Sequence, residues 1–183
     1  MKVLAGTLGV SDQESRAGVV TFSYNSEHSI KLKDHQDISS FNDAVDNIPL
    51  MGSTTRIDKA LRLTQRELFD PTNGARPGIA KILILLTDGS QTLDADAEDP
   101  GTIAQEIRDT GVKMLVIGIG AGVNQTELDH IAGDDEFAFS AATFDELIGG
   151  EFVQQIVDGS CSLGNFFQSH CTCTRNITSF ISL

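Results

Sequence analysis

The chain has 183 residues, 40% of them apolar, enough for one compact domain with a sizeable core and too few for two full-sized ones. Thirteen basic against twenty-six acidic residues give a formal charge of −13, which opposes binding to nucleic-acid phosphates or anionic membrane and suits cations or basic protein surfaces. No apolar run reaches the roughly 18 to 20 residues needed to span a bilayer.

The opening MKVLAGTLGV has Val3, Leu4, Leu8 and Val10 at loosely helical spacing and reads as the back half of a helix. It imitates a signal peptide but shows no clear small-x-small cleavage site before Ser11 to Glu14. Gly18 to Tyr24 is a β-branched, aromatic strand, and Ser29 to Lys33 is a half-exposed one that follows a short hairpin connection, Asn25 to His28. That second strand is expected to be an antiparallel edge. Ile38, Phe41, Val45 and Ile48 predict a helix from Asp37, a suitable N-cap, to Asn47. The hydroxyl loop Ser53-Thr54-Thr55 then leads into a helix carrying Ile57, Ala60, Leu61 and Leu68, and hydroxyls there read first as caps. After the loop Asp70 to Gly78, Ile82 to Leu86 is a continuous apolar run too short for a lone helix, hence a strand buried on both faces. Leu93 to Pro100 reads as an acidic linker facing solvent. Helices are expected at Ile103–Thr110, Gln125–Ala132 and Thr143–Val157, and strands at Lys113–Ile119 and Glu136–Ser140. Strands alternating with helices specify an α/β fold, a Rossmann-like three-layer sandwich with a mostly parallel sheet and one antiparallel edge strand.

The buried run ends in Thr87, Asp88 and Gly89, and ligands of open α/β sheets gather beyond the carboxyl ends of such strands. Asp88 is therefore the leading functional candidate. Gly118-Ile119-Gly120-Ala121-Gly122 occupies the place of a dinucleotide fingerprint, but Val123 breaks the spacing, so it reads as a tight turn. The four histidines form no hydrolase pattern with a serine or cysteine, and His170-Cys171-x-Cys173 is too crowded for a zinc framework. Hydroxyls at Ser53 to Thr55 and the Asp88 carboxylate are the right donor types for Mg²⁺. Cys161, Cys171 and Cys173 leave one cysteine over in any intramolecular scheme, which implies a free thiol, an intermolecular bridge or a missing partner. Asn124-Gln125-Thr126 and Asn176-Ile177-Thr178 are candidate glycosylation sequons.

The segments GVVTFSY, DNIPLMGSTTRIDKAL, KILILLTDGS and GVKMLVIGIG, with the FDEL helix after them, resemble the von Willebrand factor type A domain of matrix and adhesion proteins, in order from Met1 to about Cys161. The resemblance implies a metal-ion-dependent adhesion site at the carboxyl edge of the sheet, in which Thr54 matches the threonine and Asp88 the aspartate. The Asp-x-Ser-x-Ser motif that follows the family's first strand is expected to be absent, since Ser11-Asp12-Gln13-Glu14-Ser15 precedes the GVVTFSY strand and does not supply it. It also implies a first strand, central in the sheet, between the strands Ala17–Tyr24 and Lys81–Thr87. This chain begins inside the family's first helix and supplies no such strand. Either the flanking strands close up, or another chain donates a strand, or the sequence is an incomplete gene product, the last being preferred. Cys161 corresponds to a cysteine that family members bridge to one before the first strand.

The expected organisation is thus residues 1–161 as a domain lacking its first strand and residues 162–183 as an irregular, cysteine-containing tail. The expected function is an extracellular, non-enzymatic module that binds matrix or cell-surface proteins, collagen-like or other, with no nucleic acid and no membrane span. Its remnant site, Thr54 and Asp88, would hold Mg²⁺ or another divalent cation weakly or not at all, although a complete parent would bind one. The alternatives are a metal-independent structural interaction module and an α/β enzyme using Asp88.

Overall fold

The structure is a computed structural model that describes residues 2–49, 52, 54–134, 137–147, 154 and 175–181, the last seven by their backbone. In chain order its elements are α1 (Lys2–Thr7), β1 (Ser15–Phe22), β2 (Ser26–Ile30), α2 (Ile38–Asp46), α3 (Ile57–Leu63), β3 (Ala80–Thr87), α4 (Pro100–Asp109), β4 (Lys113–Ile119), α5 (Gln125–Ala132), β5 (Ala138–Ala141), α6 (Phe144–Leu147) and β6 (Arg175–Ile181). A π-helical turn, Thr64–Leu68, continues α3. The strands form one sheet in the order β2-β1-β6-β3-β4-β5. β2 runs antiparallel to β1, and the other neighbours are parallel.

Alternation along the strands fixes the layers, because successive side chains point to opposite faces. Leu83 and Leu85 of β3 join Val20, Phe22, Met114 and Val116 against Ile57 and Leu61 of α3, Ile103 and Ile107 of α4, and Leu128 and Ile131 of α5. Ile82, Ile84 and Leu86 turn the other way and meet Leu4 of α1, Leu147 of α6 and the β4 residues Leu115, Ile117 and Ile119. On that same side Ala17, Val19 and Ile30 pack on Phe41 of α2 and Ala5 of α1. Each such aliphatic side chain taken fully out of water contributes about 1.5–3 kcal/mol. The three-layer sandwich and antiparallel edge strand follow the sequence pattern closely.

The main departure is at the centre of the sheet. Residues 162–183 were expected to be irregular, yet Arg175–Ile181 form β6, which lies between β1 and β3. The position that the family resemblance left empty is filled from within the chain, an arrangement that none of the three alternatives contained. The cause is the backbone of β1 and β3: their inward rows of N–H and C=O groups need partners once buried.

Smaller corrections have equally local causes. β2 begins at Ser26, because Ser23 N donates to Asn25 O and the hairpin turns earlier than expected. Asp37 caps α2 as predicted, its carboxylate accepting from Ser40 N at 2.9 Å. The residue at the N-cap of α3 is Arg56, without a side-chain cap, so the hydroxyls before it are released from capping. Ser53, Cys161, Cys171, Cys173 and, apart from Gln154, the part of the expected Thr143–Val157 helix beyond Leu147 lie outside the described residues.

Candidate functional site

β3 ends at Thr87, and the chain turns through Asp88 and Gly89 at the carboxyl edge of the parallel strands. Thr87 is buried and holds the turn through its own hydroxyl, which donates to Gly89 O at 2.8 Å and accepts from Gly89 N at 3.3 Å. Asp88 itself is exposed.

Two loops close on this turn from either side. Thr55 covers Gly89 so tightly that a β-carbon there would lie 3.0 Å from Thr55 Oγ1. Gly122 packs on Asp88, and a β-carbon on it would stand 2.5 Å from the Asp88 carbonyl oxygen. Ser90 Oγ also donates to Gly122 O at 3.2 Å. The last glycine of the Gly118–Gly122 run thus permits a close backbone approach to the Asp88 turn, and the run is the tight turn that its spacing indicated.

Main-chain hydrogen bonds stitch the neighbouring loops together. Thr55 N donates to Thr92 Oγ1 at 2.9 Å, Thr92 N donates to Thr55 O at 2.8 Å, and Arg56 N donates to Ser23 O at 3.1 Å. The loops after β1, before α3 and after β3 are therefore side by side. They carry two exposed apolar side chains, Tyr24 and Leu93, 55% and 88% accessible. Thr54 Oγ1 is shut off from solvent and has no hydrogen-bond partner among the described residues. A buried hydroxyl left so costs about 1–3 kcal/mol. Thr54 and Asp88 are thereby on adjoining loops, and Thr55 is the threonine whose side chain rests on the Asp88 turn.

Beneath the loops lies a charge network that the sequence reading missed. Arg56 is fully buried. Its Nε and Nη2 donate to the two oxygens of Asp58 at 2.9 and 2.7 Å, and its Nη1 donates to Asp96 Oδ1 at 2.8 Å and Asp94 Oδ2 at 3.2 Å. Asp58 also accepts from Gln91 Nε2 at 2.7 Å and Glu98 N at 3.1 Å. Burial pushes the Asp58 carboxyl up, but these hydrogen bonds outweigh it and hold it at about 2. The Asp58 contact raises the Arg56 pKa above its ordinary value. The acidic stretch after Leu93 was expected to face solvent. Instead Asp94 and Asp96 bind Arg56, Glu98 binds Arg62 at 2.5 Å, and Asp99 caps α4. The available signal was the pairing of a lone Arg-x-Asp after the hydroxyl loop with an alternating Asp-Ala-Asp downstream. Glu127 joins the edge by accepting from Gln91 N at 3.0 Å, and burial pushes its pKa up.

The orphan Thr54 hydroxyl and the exposed Asp88 carboxylate are suitable oxygen donors for a hard cation, yet they are few. Among the described residues no group of three or more His, Cys, Asp or Glu is placed to hold a metal ion. These two donors alone are fewer than a tightly held divalent ion takes. The Asp-x-Ser-x-Ser spacing, expected to be absent, does occur in the sequence at Asp158-Gly159-Ser160-Cys161-Ser162, a stretch ahead of β6 and outside the described residues. Of the two sequons, Asn124 is exposed and caps α5, its side chain accepting from Thr126 N, whereas Asn176 lies in β6.

An open, mostly parallel α/β sheet with a loop-built acidic turn at its carboxyl edge defines a Rossmann-like module. The chain belongs to the von Willebrand factor type A domain family, whose profile matches residues 1–163. It is 34% identical over 162 residues to the human collagen alpha-6(VI) chain, covering 88% of this chain and 7% of that one. It is 31% identical over 141 residues to chicken (Gallus gallus) matrilin-1, covering 75% of this chain and 27% of the relative. Among solved structures, proximal thread matrix protein 1 from the mussel byssus superposes with a TM-score of 0.78 at 28% identity, over 87% of this chain and 41% of that one. A second structure of that protein, with a zinc-occupied MIDAS motif, gives 0.75 at 26% identity, covering 87% and 38%. The chain spans less than a third of the length of these curated relatives. No described helix is long and apolar enough to cross a membrane.

Proposed function

We propose that the chain is an extracellular protein-binding module of the matrix type and that it meets its partner through the carboxyl edge of the sheet. The observation that supports this reading is the exposed Asp88 on a turn fixed by Thr55 and Gly122, with Tyr24 and Leu93 exposed on adjoining loops. A carboxylate beside exposed aromatic and aliphatic side chains offers a polar anchor and an apolar contact together. The matrix proteins among its relatives point to the same compartment and to a protein ligand. Thr54 and Asp88 stand as a remnant of the family's metal site. Two donors compete poorly with the hydration of Mg²⁺, so contact with the partner is direct and does not depend on the ion.

Biolayer interferometry of the full chain over immobilised collagen tests this, in millimolar Mg²⁺ and then in EDTA. We expect binding that EDTA leaves unchanged and that Asp88→Ala weakens about fivefold, the equivalent of one exposed polar contact. Loss of binding in EDTA would show that a complete metal site carries the contact. Equal binding by wild type and Asp88→Ala would move the contact away from this edge.

A further inference from the structure

A cavity of about 250 Å³ opens at the amino end of β3, the opposite end of that strand from the Asp88 turn. Phe69, Pro71, Ile107 and Val112 supply its apolar lining, and Arg66 and Lys81 supply two cations. It is smaller than the roughly 300–1,000 Å³ of sites for drug-sized ligands, so it fits one ring or a short branched chain.

The other polar side chains of the lining are already engaged. Gln65 accepts from Arg62 Nη1 at 2.8 Å and donates to Glu106 Oε2 at 2.9 Å. Thr110 Oγ1 donates to Ile107 O at 2.7 Å. Asp70 is the carboxylate among the described lining residues, and it accepts from Thr72 N at 2.7 Å and from Thr72 Oγ1 at 2.5 Å. The two cations differ. Among the described residues the Arg66 guanidinium has no hydrogen bond and no ion pair, and the Lys81 ammonium meets only the Phe69 ring, 5.5 Å from its centroid. Acidic residues outnumber basic ones two to one in this chain, yet neither cation has drawn a carboxylate. The backbone marks the same place. α3 runs into the π-helical turn Thr64–Leu68, which carries Gln65 and Arg66 and leads directly to Phe69. Such turns are rare, and they occur frequently at functional sites.

We propose that this cavity binds a small organic anion, a carboxylate carried on an aromatic or branched aliphatic body. The carboxylate accepts charge-assisted hydrogen bonds from the Arg66 guanidinium and the Lys81 ammonium, and the body rests on Phe69, Ile107 and Val112. Apolar contact supplies most of the affinity, and the cations supply the selectivity for an anion. The same chemistry is offered by a free acid and by the terminal carboxylate of a peptide ending in an apolar residue. The site is remote from the carboxyl edge, so it stands independently of the partner contact proposed there.

NMR titration of the isotope-labelled full chain with hydrocinnamate, a phenyl ring on a short carboxylate, tests the proposal. Saturable binding is expected at about 5 mM or tighter, the affinity that so few atoms support. Shifts should centre on the amides of Gln65 to Asp70, Lys81 and Thr110 to Val112. Hydrocinnamide keeps the ring, loses the charge, and should bind at least about fivefold more weakly. The acid should weaken as much on a chain carrying Arg66→Gln and Lys81→Gln, while the amide comparison on wild type holds whether or not that variant folds. N-acetylglycylphenylalanine separates the sources: binding tighter than hydrocinnamate assigns the site to a peptide terminus, and weaker binding to a free acid. Equal binding of acid and amide, shifts centred elsewhere, or no saturation by about 20 mM would overturn the proposal.

Discussion

Arg56 carries the steepest local energy balance in the molecule. A guanidinium taken wholly out of water is costly unless every donor is met, and here Asp58, Asp94, Asp96 and the Asp96 carbonyl meet all of them. Asp58 is the critical partner because it is buried too, while Asp94 and Asp96 are 38% and 67% exposed. Asp58→Ala is expected to destabilise the fold by about 3 kcal/mol or more, measured by urea unfolding, since it strands a buried cation. The Arg62 pairs with Glu98 and Glu106 lie in solvent and contribute less. The pH dependence has a definite sign. Asp58 titrates at about 2 in the folded chain, below its ordinary 3.8, so the unfolded chain binds more protons between these values. Its contribution is present above pH 4 and is lost as pH falls towards 2. Asp96, Glu98, Asp99 and Glu106 are lowered as well and act in the same direction. Wild type should lose stability steeply across this acid window, and Asp58→Ala should show a shallower slope.

Three helices, α2, α4 and α5, start where a side chain meets an orphan N–H. Asp99 accepts from both Thr102 N and Thr102 Oγ1 at 2.7 Å, and Pro100 opens the first turn of α4 with its φ already set. Asp99→Ala should cost about 1 kcal/mol in urea unfolding, and Asp99→Asn much less, because the amide oxygen still caps. Legibility follows the same physics. β3 and β4 could be read as strands because a run buried on both faces must be apolar throughout, and α2 and α5 because a half-buried helix must be periodic. The position of Asp88 was legible because the apolar run of β3 stops at Thr87 and an exposed turn follows. β6 was not: Asn176, Thr178 and Ser179 give it the composition of a surface segment, and its place depends on unpaired backbone in β1 and β3 that no local pattern records. Nor was the Arg56 network, since Asp94 and Asp96 lie 38 and 40 residues away and only the fold brings them together.

At the scale of the whole molecule, continuity of the sheet depends on the last element in the chain. β6 and its two ladders tie the β1–β2 pair to β3, β4 and the Asp88 turn. If residues 162–183 were only a tail, cutting the chain after Cys161 would leave stability unchanged. With β6 between β1 and β3, the same cut strips partners from both strands along seven register positions each, and buried backbone groups without partners are strongly disfavoured. Residues 1–161 should therefore unfold at least about 10 °C below the full chain by circular dichroism, or show no single cooperative transition, since each kcal/mol lost lowers the midpoint by a few degrees in a domain of this size. The two pieces should also separate: amides of β1 and β2 would lose protection while those of β3 and β4 retain more of it, because β5, α4 and α5 still flank the latter. A cut chain melting within about 2 °C of the full one would mean that β1 and β3 close directly on each other, and that β6 adds no stability to the sheet.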